Sequence, residues 1–244
     1  MRKKRGTNRG VLSVASYNIH RGLGADGRRD WERILQVIAA MDADVLALQE
    51  VETPAEPAPS ADTLALLPRL TALGYELLFD PTLRNGDADY GNLLLSRWPV
   101  VARERQDLSV PGREPRGLIE AELHAGVRTL WVMATHLGLG MRERRLQVAQ
   151  LARRIDHWQS LNPRPPLVLL GDLNHWVPFA PGLKPLRMRL SAVPARASYP
   201  ARWPLLALDR IFYAGGLQLR AWGVERGPVS SQASDHRPLW ARFA

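Results

Sequence analysis

Short apolar runs alternate along this chain with longer segments in which apolar residues recur every three or four positions. The runs at 11–18 and 43–50 have the length of buried β-strands, and each ends in a polar residue. The segment between them carries one apolar stripe with helical spacing, formed by Trp31, Ile34, Leu35, Ile38 and Met41. Asp30 precedes the stripe and is a residue type that caps helix N-termini. The pattern predicts a strand, an amphipathic helix and a second strand.

The same alternation continues through the rest of the chain. Two further helices are predicted at roughly 61–73 and 142–159. The longer one has an apolar face made of Val148, Leu151, Ile155 and Trp158. Its arginines are expected largely off that face, at Arg144, Arg145, Arg153 and Arg154. Further strands are predicted near 75–79, 92–96, 99–107, 117–124, 129–135, 166–174, 208–213, 217–224 and 238–243.

The arrangement of these elements predicts the fold class. Residues 175–204 contain seven prolines or glycines and are expected to be rich in loops. No tandem repeat is evident, and no linker is long enough to separate two domains. We therefore expect one α/β domain over 11–244, in which helices cover mixed sheets, preceded by a basic tail at 1–10.

Polar residues that can carry chemistry fall at the ends of the apolar strands. They are Asn18, Glu50, His136, Asp172, Asn174, Asp209, Asp235 and His236. Ligand and catalytic groups gather where strands end, because a rigid sheet then positions the loops. A shared site explains the whole set more simply than a separate structural reason for each residue.

Each of these residues also has a simpler interpretation. Asn18 suits a turn, and Glu50 suits a helix cap or a solvent-facing position. Asp172 and Asn174 suit an Asx-turn. His136 taken alone is more often a structural histidine than a catalyst.

The stretch "SDHRP" at 234–238 raises a geometric question, because neighbouring side chains of a regular strand point to opposite faces. Asp235 and His236 could not share one pocket in such a strand. Pro238 also disfavours a central strand position, since it lacks the ladder N–H. The stretch is therefore predicted to be the lip of a strand, with a solvent-facing turn as the alternative.

Composition narrows the chemistry. The chain has 244 residues and no cysteine, which excludes disulfides, thiolate catalysis and zinc–sulfur sites. It contains no apolar run long enough to span a membrane and no recognisable signal peptide, so we expect a cytoplasmic protein. Carboxylates and amides form a hard, all-oxygen ligand set suited to Mg²⁺ or Mn²⁺. Together with two histidines that titrate near neutrality, they are consistent with phosphoester hydrolysis.

The net charge of +9 is unevenly distributed. Residues 1–10 carry five basic side chains and no acid, and residues 184–226 carry eight basic side chains against Asp209 and Glu225. Basic surfaces recruit polyanions such as nucleic acid or an anionic membrane face. A solvated tail is the alternative interpretation.

Seven segments in order resemble the endonuclease/exonuclease/phosphatase superfamily, which includes DNase I, sphingomyelinases and inositol polyphosphate 5-phosphatases. They are "SYNIH", "LQEVE", "YGNLLLSRWP", "THLG", "GDLN", "LDRIF" and "SDHRP". The resemblance spans about 11–243 and is strongest to the small bacterial hydrolases of that superfamily. It implies a DNase I-like four-layer αββα sandwich of two mixed, mainly antiparallel sheets, with the active site at one end.

The resemblance also implies a role for each site residue. Glu50 corresponds to the main metal carboxylate, with Asn18 and Asp235 close by. Asp172 corresponds to the residue that positions or deprotonates water.

Phosphate-contacting roles are implied for the remaining residues. His236, paired with Asp209, corresponds to the residue that stabilises the phosphorane-like charge or donates a proton. The phosphate contacts are Asn174, His136, Asn92 and the weaker match Arg116.

Substrate identity stays open at this level. The first interpretation is an Mg²⁺- or Mn²⁺-dependent phosphodiesterase that cleaves nucleic acid or a phospholipid-type ester. The second is a phosphomonoesterase acting on a small anion such as an inositol phosphate, and the third is a catalytically silent polyanion-binding module. We expect a monomer whose basic tail makes peripheral contact with an anionic membrane or nucleic acid.

Overall fold

The computed structural model describes residues 10–54, 66–85, 88–125, 128–176 and 181–244. The predicted basic tail, except Gly10, and the predicted helical residues 61–65 lie outside these ranges.

Two six-stranded sheets form the centre of the molecule. The first has the order β11-β12-β1-β2-β4-β3 and the second the order β5-β6-β7-β8-β10-β9. The strands of the first sheet are β1 (Leu12–Asn18), β2 (Val45–Pro54), β3 (Glu76–Asn85), β4 (Ala88–Ser96), β11 (Leu219–Val224) and β12 (Leu239–Phe243). Those of the second are β5 (Val100–Asp107), β6 (Gly117–Ala125), β7 (Arg128–His136), β8 (Leu167–Asp172), β9 (Ser191–Ala192) and β10 (Asp209–Ala214).

Helices cover the outer faces of both sheets. The first sheet is covered by α1 (Trp31–Met41) and α2 (Leu66–Ala72), and the second by α3 (Met141–Gln159) and α4 (Lys184–Arg187). Apolar side chains from both sheets, such as Val14 and Val132, form the core between them. The predicted αββα order of layers is therefore confirmed. No helix among the described residues is long and apolar enough to cross a membrane.

One pair of parallel strands in each sheet determines where the polar strand ends lie. Strands β1 and β2 are parallel, as are β7 and β8, while every other described strand pair is antiparallel. Parallel neighbours end at the same edge of a sheet. Asn18 and Glu50 are thereby brought to one edge of the first sheet, and His136 pairs in register with Asp172 in the second.

Local sequence signals explain several boundaries. The carboxylate of Asp30 caps α1 by accepting hydrogen bonds from the backbone N–H groups of Glu32 and Arg33, as predicted. Strand β12 starts at Leu239, directly after Pro238, so "SDHRP" does form the lip of a strand.

Two sequence predictions need correction, those for the end of β3 and for Arg144. Strand β3 continues past 79 through Pro81, which is tolerated because β3 is an edge strand with a bulge at that point. The described part of 175–204 is rich in loops, as expected, and also contains the short elements α4 and β9. Arg144 was expected off the buried face of its helix but is buried, where its guanidinium donates to the carbonyl oxygens of Gly138 and Leu139.

Gly171 is required by the close approach of β7 and β8. Its φ is +155°, and a Cβ at this position would lie 1.8 Å from the carbonyl oxygen of Thr135.

We expect Gly171→Ala to lower the free energy of unfolding by about 3 kcal/mol or more, because the backbone of β7 or β8 must move to make room for the added Cβ. Gly216→Ala is the control, since its φ of +85° is also positive but nothing lies within 4 Å of its added Cβ. That control should lose only about 1 kcal/mol in urea denaturation. Equal losses in the two variants would contradict the steric argument.

Candidate active site

The polar ends of the two sheets meet at a single amide. The Asn18 side-chain N–H₂ donates to Glu50 Oε1 at 2.9 Å, within the first sheet. It also donates to Asp172 Oδ2 at 3.2 Å, in the second sheet. Asn18 is buried, so these bonds are shielded from water. The side chains at the strand ends of both sheets therefore form one cluster.

Glu50 is aimed into this cluster by an irregularity in β2. The register with β4 shifts between Leu48 and Val51, and Glu50 has a left-handed φ of 57°. A β-bulge of this kind redirects a side chain at the cost of some backbone strain. Burial favours a higher pKa for Glu50, but interactions with His136 and His20 and hydrogen bonds from Asn18 and Tyr90 outweigh burial and lower it. Glu50 is therefore held as a carboxylate.

Asp172 lies at the centre of the cluster. Its Oδ1 accepts a hydrogen bond from the backbone N–H of Asn174 at 2.9 Å, which is an Asx-turn of the kind the sequence allowed. Its Oδ2 lies 3.7 Å from Nε2 of His136 and 3.6 Å from Nε2 of His236. The Asx-turn is compatible with a role in chemistry, because it leaves Oδ2 to face Asn18 and the two imidazoles.

His236 is held by Asp209. Nδ1 of His236 lies 2.9 Å from Oδ2 of Asp209, which confirms the hydrogen bond expected from the sequence. The same carboxylate oxygen accepts a hydrogen bond from the Ser198 hydroxyl at 2.5 Å. The ring of Tyr199 packs against the imidazole with a centroid separation of 4.9 Å. These contacts orient Nε2 of His236 toward Asp172.

The two histidines are driven to opposite protonation states. Burial and the charge of Arg116 lower the pKa of His136 to about 4. Burial also favours a lower pKa for His236, but Asp209, Asp172 and Asp235 together outweigh it and raise the pKa to about 10. Near neutral pH, His136 is neutral and His236 is a cation. Paired groups with pKa values pushed apart are typical of acid–base sites.

Asn174 positions His136 in this structure. It has a left-handed φ of 50°, which asparagine tolerates well. Its amide donates to the carbonyl oxygen of Leu137 at 2.8 Å and lies 3.1 Å from Nε2 of His136. This contact requires His136 Nε2 to be the unprotonated nitrogen, in agreement with the lowered pKa. The phosphate-holding role of Asn174 stays a prediction.

The "SDHRP" loop serves two parts of the cluster at once. Ser234 anchors it, because its hydroxyl donates to the carbonyl oxygen of Asn18 at 2.8 Å and accepts from the His236 N–H at 3.2 Å. The Asp235 carboxylate turns instead toward His20, whose Nδ1 lies 3.6 Å away. Burial raises the pKa of Asp235, and the charge of nearby Glu50 acts in the same direction. A regular strand would place Asp235 and His236 on opposite faces. The loop geometry instead allows both side chains to reach the cluster, where His236 contacts Asp209 and Asp235 contacts His20.

Asn92 lies on β4 of the first sheet, and Arg116 directly precedes β6 of the second sheet. Arg116 is buried and pairs with Glu114 at 2.9 Å, while its Nε has no hydrogen-bond partner. Asn92 donates to the carbonyl oxygen of Gly117 at 3.4 Å and so fixes the backbone next to Arg116. A buried guanidinium with an unused donor is suited to an anion, but both phosphate-binding roles stay predictions.

The structure adds four polar contacts that the sequence did not single out. They come from Tyr90, Ser198, Ser234 and His20. Tyr90, Ser234 and His20 belong to segments that carry the family resemblance, so the motifs contained a signal for them. Ser198 lies in the proline-rich segment before β10, and nothing in its sequence context points to Asp209.

The cluster contains carboxylate and amide oxygens, which are ligand types that a divalent cation can use. Among the described residues, no three His, Asp or Glu side chains are close enough to form a complete metal site. Glu50 and Asp235 do provide neighbouring carboxylates, and Mg²⁺ commonly uses only one or two protein carboxylates together with water and substrate oxygens. The Asn18 carbonyl oxygen accepts from the His20 N–H at 3.0 Å, so its role as a ligand stays a prediction. Glu50 and Asp235 are therefore suited to a divalent cation.

Comparison with known proteins agrees with this geometry. A family model described as "Endonuclease/Exonuclease/phosphatase family" matches residues 15–236. "Uncharacterized protein YbhP" of Escherichia coli K12 is 30% identical over 258 residues, covering 95% of this chain and 96% of that protein.

Solved structures show the same fold. An endonuclease/exonuclease/phosphatase from Beutenbergia cavernae superimposes with a TM-score of 0.73 at 25% identity, covering 96% of this chain and 72% of that one. A mannosyl-6-phosphatase from Bacteroides thetaiotaomicron gives a TM-score of 0.74 at 18% identity, covering 96% and 99%. The chain belongs to the endonuclease/exonuclease/phosphatase family, a family of phosphoester hydrolases.

Proposed function

We propose that this protein is a divalent-metal-dependent phosphodiesterase that cleaves a nucleic acid or a phospholipid-type ester by in-line attack of water. The observation that carries the proposal is the placement of one carboxylate, Asp172, between the imidazoles of His136 and His236. Oδ2 of Asp172 lies 3.7 Å from His136 Nε2 and 3.6 Å from His236 Nε2. In this arrangement Asp172 can position the attacking water, and His236 can stabilise the negative charge that develops on the phosphoryl oxygens.

Each side chain has a role in the proposed reaction. Asp172 positions the attacking water and accepts its proton as the new P–O bond forms. The His236 cation stabilises the negative charge that builds up on the phosphoryl oxygens and provides a proton for the departing ester oxygen. Asp209 keeps His236 protonated and oriented through the 2.9 Å hydrogen bond. His136 lines the opposite side of Asp172 as a neutral imidazole.

Glu50 and Asp235, with Asn18 beside them, would hold the Mg²⁺ or Mn²⁺ ion. The bound ion would polarise a phosphoryl oxygen as a Lewis acid. The lowered pKa of Glu50 supports this assignment, because an ionised carboxylate is the form that binds a hard cation. Arg116, with its unused buried Nε, is suited to a second oxygen of the same phosphate.

A substrate pair tests the reaction class directly. With Mg²⁺ or Mn²⁺, the purified protein should hydrolyse bis-p-nitrophenyl phosphate faster than p-nitrophenyl phosphate, since the carboxylates of Glu50, Asp172 and Asp235 oppose the second negative charge of a monoester. Initial rates of nitrophenolate release are the measurement. A clear preference for the monoester would favour a phosphatase, and no release from either would leave only a polyanion-binding role.

Metal dependence gives a second prediction. Activity should disappear in EDTA and return with Mg²⁺ or Mn²⁺. Glu50→Gln keeps the shape of the side chain but removes its charge, so the metal concentration for half-maximal activity should rise by about 10-fold or more. Glu52→Gln, in the same strand but paired with Arg29, is the control and should leave that concentration unchanged. Full wild-type activity in EDTA would rule out the assignment.

The Asp209–His236 pair gives a third prediction. His236→Ala and Asp209→Asn should each lower kcat by roughly 10²-fold, the usual scale for a lost acid–base or charge-stabilising group. The double variant should lose little more than either single variant, because the two residues act as one unit. Asp156→Asn, which disrupts a surface pair with Arg189, is the control. Multiplicative losses in the double variant would show that the two residues act separately.

A further inference from the structure

Large hydrophobic side chains are exposed around the candidate active site. In the described part of the chain, nine such side chains are exposed, and five of them lie on segments that adjoin the site. These five, the apolar rim, are Leu139, Met141, Trp176, Trp203 and Leu205, with exposed fractions between 45% and 78%. Exposed apolar side chains concentrated on one functional face mark an interaction surface.

The apolar rim follows from the topology of the second sheet. Leu139 and Met141 come shortly after His136, at the end of β7, and Trp176 follows Asp172, at the end of β8. Trp203 and Leu205 precede Asp209, at the start of β10. Because β10 is antiparallel to β8, its start lies at the same edge as the end of β8. All three segments therefore leave the edge of the sheet that carries the site.

Arginines surround the part of the rim next to His236. A groove of about 530 Å³ is lined by Trp203 and by four arginines, and no acidic residue contributes to its lining. The arginines of this arginine groove are Arg196, Arg202, Arg226 and Arg237. The nearby acid Glu225 does not line the groove, and its carboxylate accepts a hydrogen bond from the Gly227 N–H at 2.8 Å. The groove is strongly cationic.

The arginine groove is joined to the active site by backbone hydrogen bonds. The Arg237 N–H donates to the carbonyl oxygen of Ser198 at 2.8 Å, and the Ala201 N–H donates to that of Asp235 at 2.6 Å. Ser198 in turn contacts Asp209. A partner bound in the groove would therefore lie against the loop that carries His236.

We propose that the apolar rim and the arginine groove form a docking face for an anionic phospholipid bilayer. The rim side chains enter the interfacial layer, and the arginines contact lipid phosphates around them. This surface is formed by residues other than those of the basic segment 1–10. Resting on the proposed function, the substrate is then a phosphoester lipid whose head group lies at the bilayer surface.

Two other partners fit the surface less well. A nucleic acid would satisfy the arginines and could stack on Trp203, but it offers little to remove Leu139, Met141 and Leu205 from water. A second copy of the chain docked through this face would bring two arginine grooves together, and like charges would oppose the contact. Only an anionic bilayer combines an apolar layer with a negative surface.

Vesicle sedimentation tests the docking without requiring catalysis. In EDTA, the full-length protein should co-sediment with vesicles of phosphatidylglycerol and phosphatidylcholine, much less with pure phosphatidylcholine, and less as salt increases. Release of phosphorylated head groups from the same vesicles, with Mg²⁺ restored, tests the substrate. Rates on bis-p-nitrophenyl phosphate report the soluble activity of each variant and show that it is folded.

Matched variants separate the two components of the docking face. Trp203→Ala with Leu205→Ser, and separately Arg202→Gln with Arg226→Gln, should each weaken vesicle binding by about 10-fold or more. Their rates on bis-p-nitrophenyl phosphate should stay at the wild-type level. Val101→Ser is the apolar control, and Arg103→Gln with Arg153→Gln is the charge control, since these side chains are exposed on β5 and α3.

Several outcomes would overturn the docking face. One is that the wild-type protein does not bind anionic vesicles. Another is that the test and control variants lose vesicle binding equally. A third is that the test variants lose binding to an oligonucleotide but keep binding to vesicles. Vesicle binding by a protein that hydrolyses neither lipid nor bis-p-nitrophenyl phosphate would support the docking face and reject the proposed function. Hydrolysis of the soluble diester without vesicle binding would do the reverse.

Discussion

The candidate site depends on the imidazole of His236 lying between two aspartates. Asp172 and Asp209 are directly opposite each other on antiparallel neighbours β8 and β10, and both are buried. Like charges in such a pair repel, and burial removes the water that would screen them. His236 contacts Asp209 at 2.9 Å and lies 3.6 Å from Asp172, so its positive charge compensates both. The contacts of His236 with Asp172 and Asp209 offset the repulsion between the two carboxylates, and the same contacts keep His236 protonated.

A second constraint is that the site is divided between two sheets. Neither sheet alone holds both Glu50 and Asp172, and the Asn18 amide joins the two carboxylates by donating a hydrogen bond to each. The packing of apolar side chains between the sheets fixes how the two edges align. Core packing and site geometry are therefore linked, and Gly171 lies where the two meet, since it allows β8 to approach β7 immediately before Asp172.

Local patterns predicted most of the framework because they act over short distances. Apolar periodicity determined the strands and long helices, Asp30 marked the start of α1, and Pro238 marked the start of β12. The pattern was less successful where tertiary context overrides propensity. Pro81 lies within β3 only because that strand is at an edge, and Arg144 is buried because loop carbonyls next to the site accept its hydrogen bonds.

The sequence by itself determined that polar residues stand at the ends of apolar strands, and the family resemblance of its motifs implied that Asp209 and His236 belong together. Only the tertiary structure decided which atoms meet. The left-handed turn at Glu50, the contact of Ser198 with Asp209 and the opposite protonation of the two histidines depend on backbone irregularities and on charges far apart in the chain. Such contacts have no periodicity and no local signal, because they arise only when distant segments are buried together.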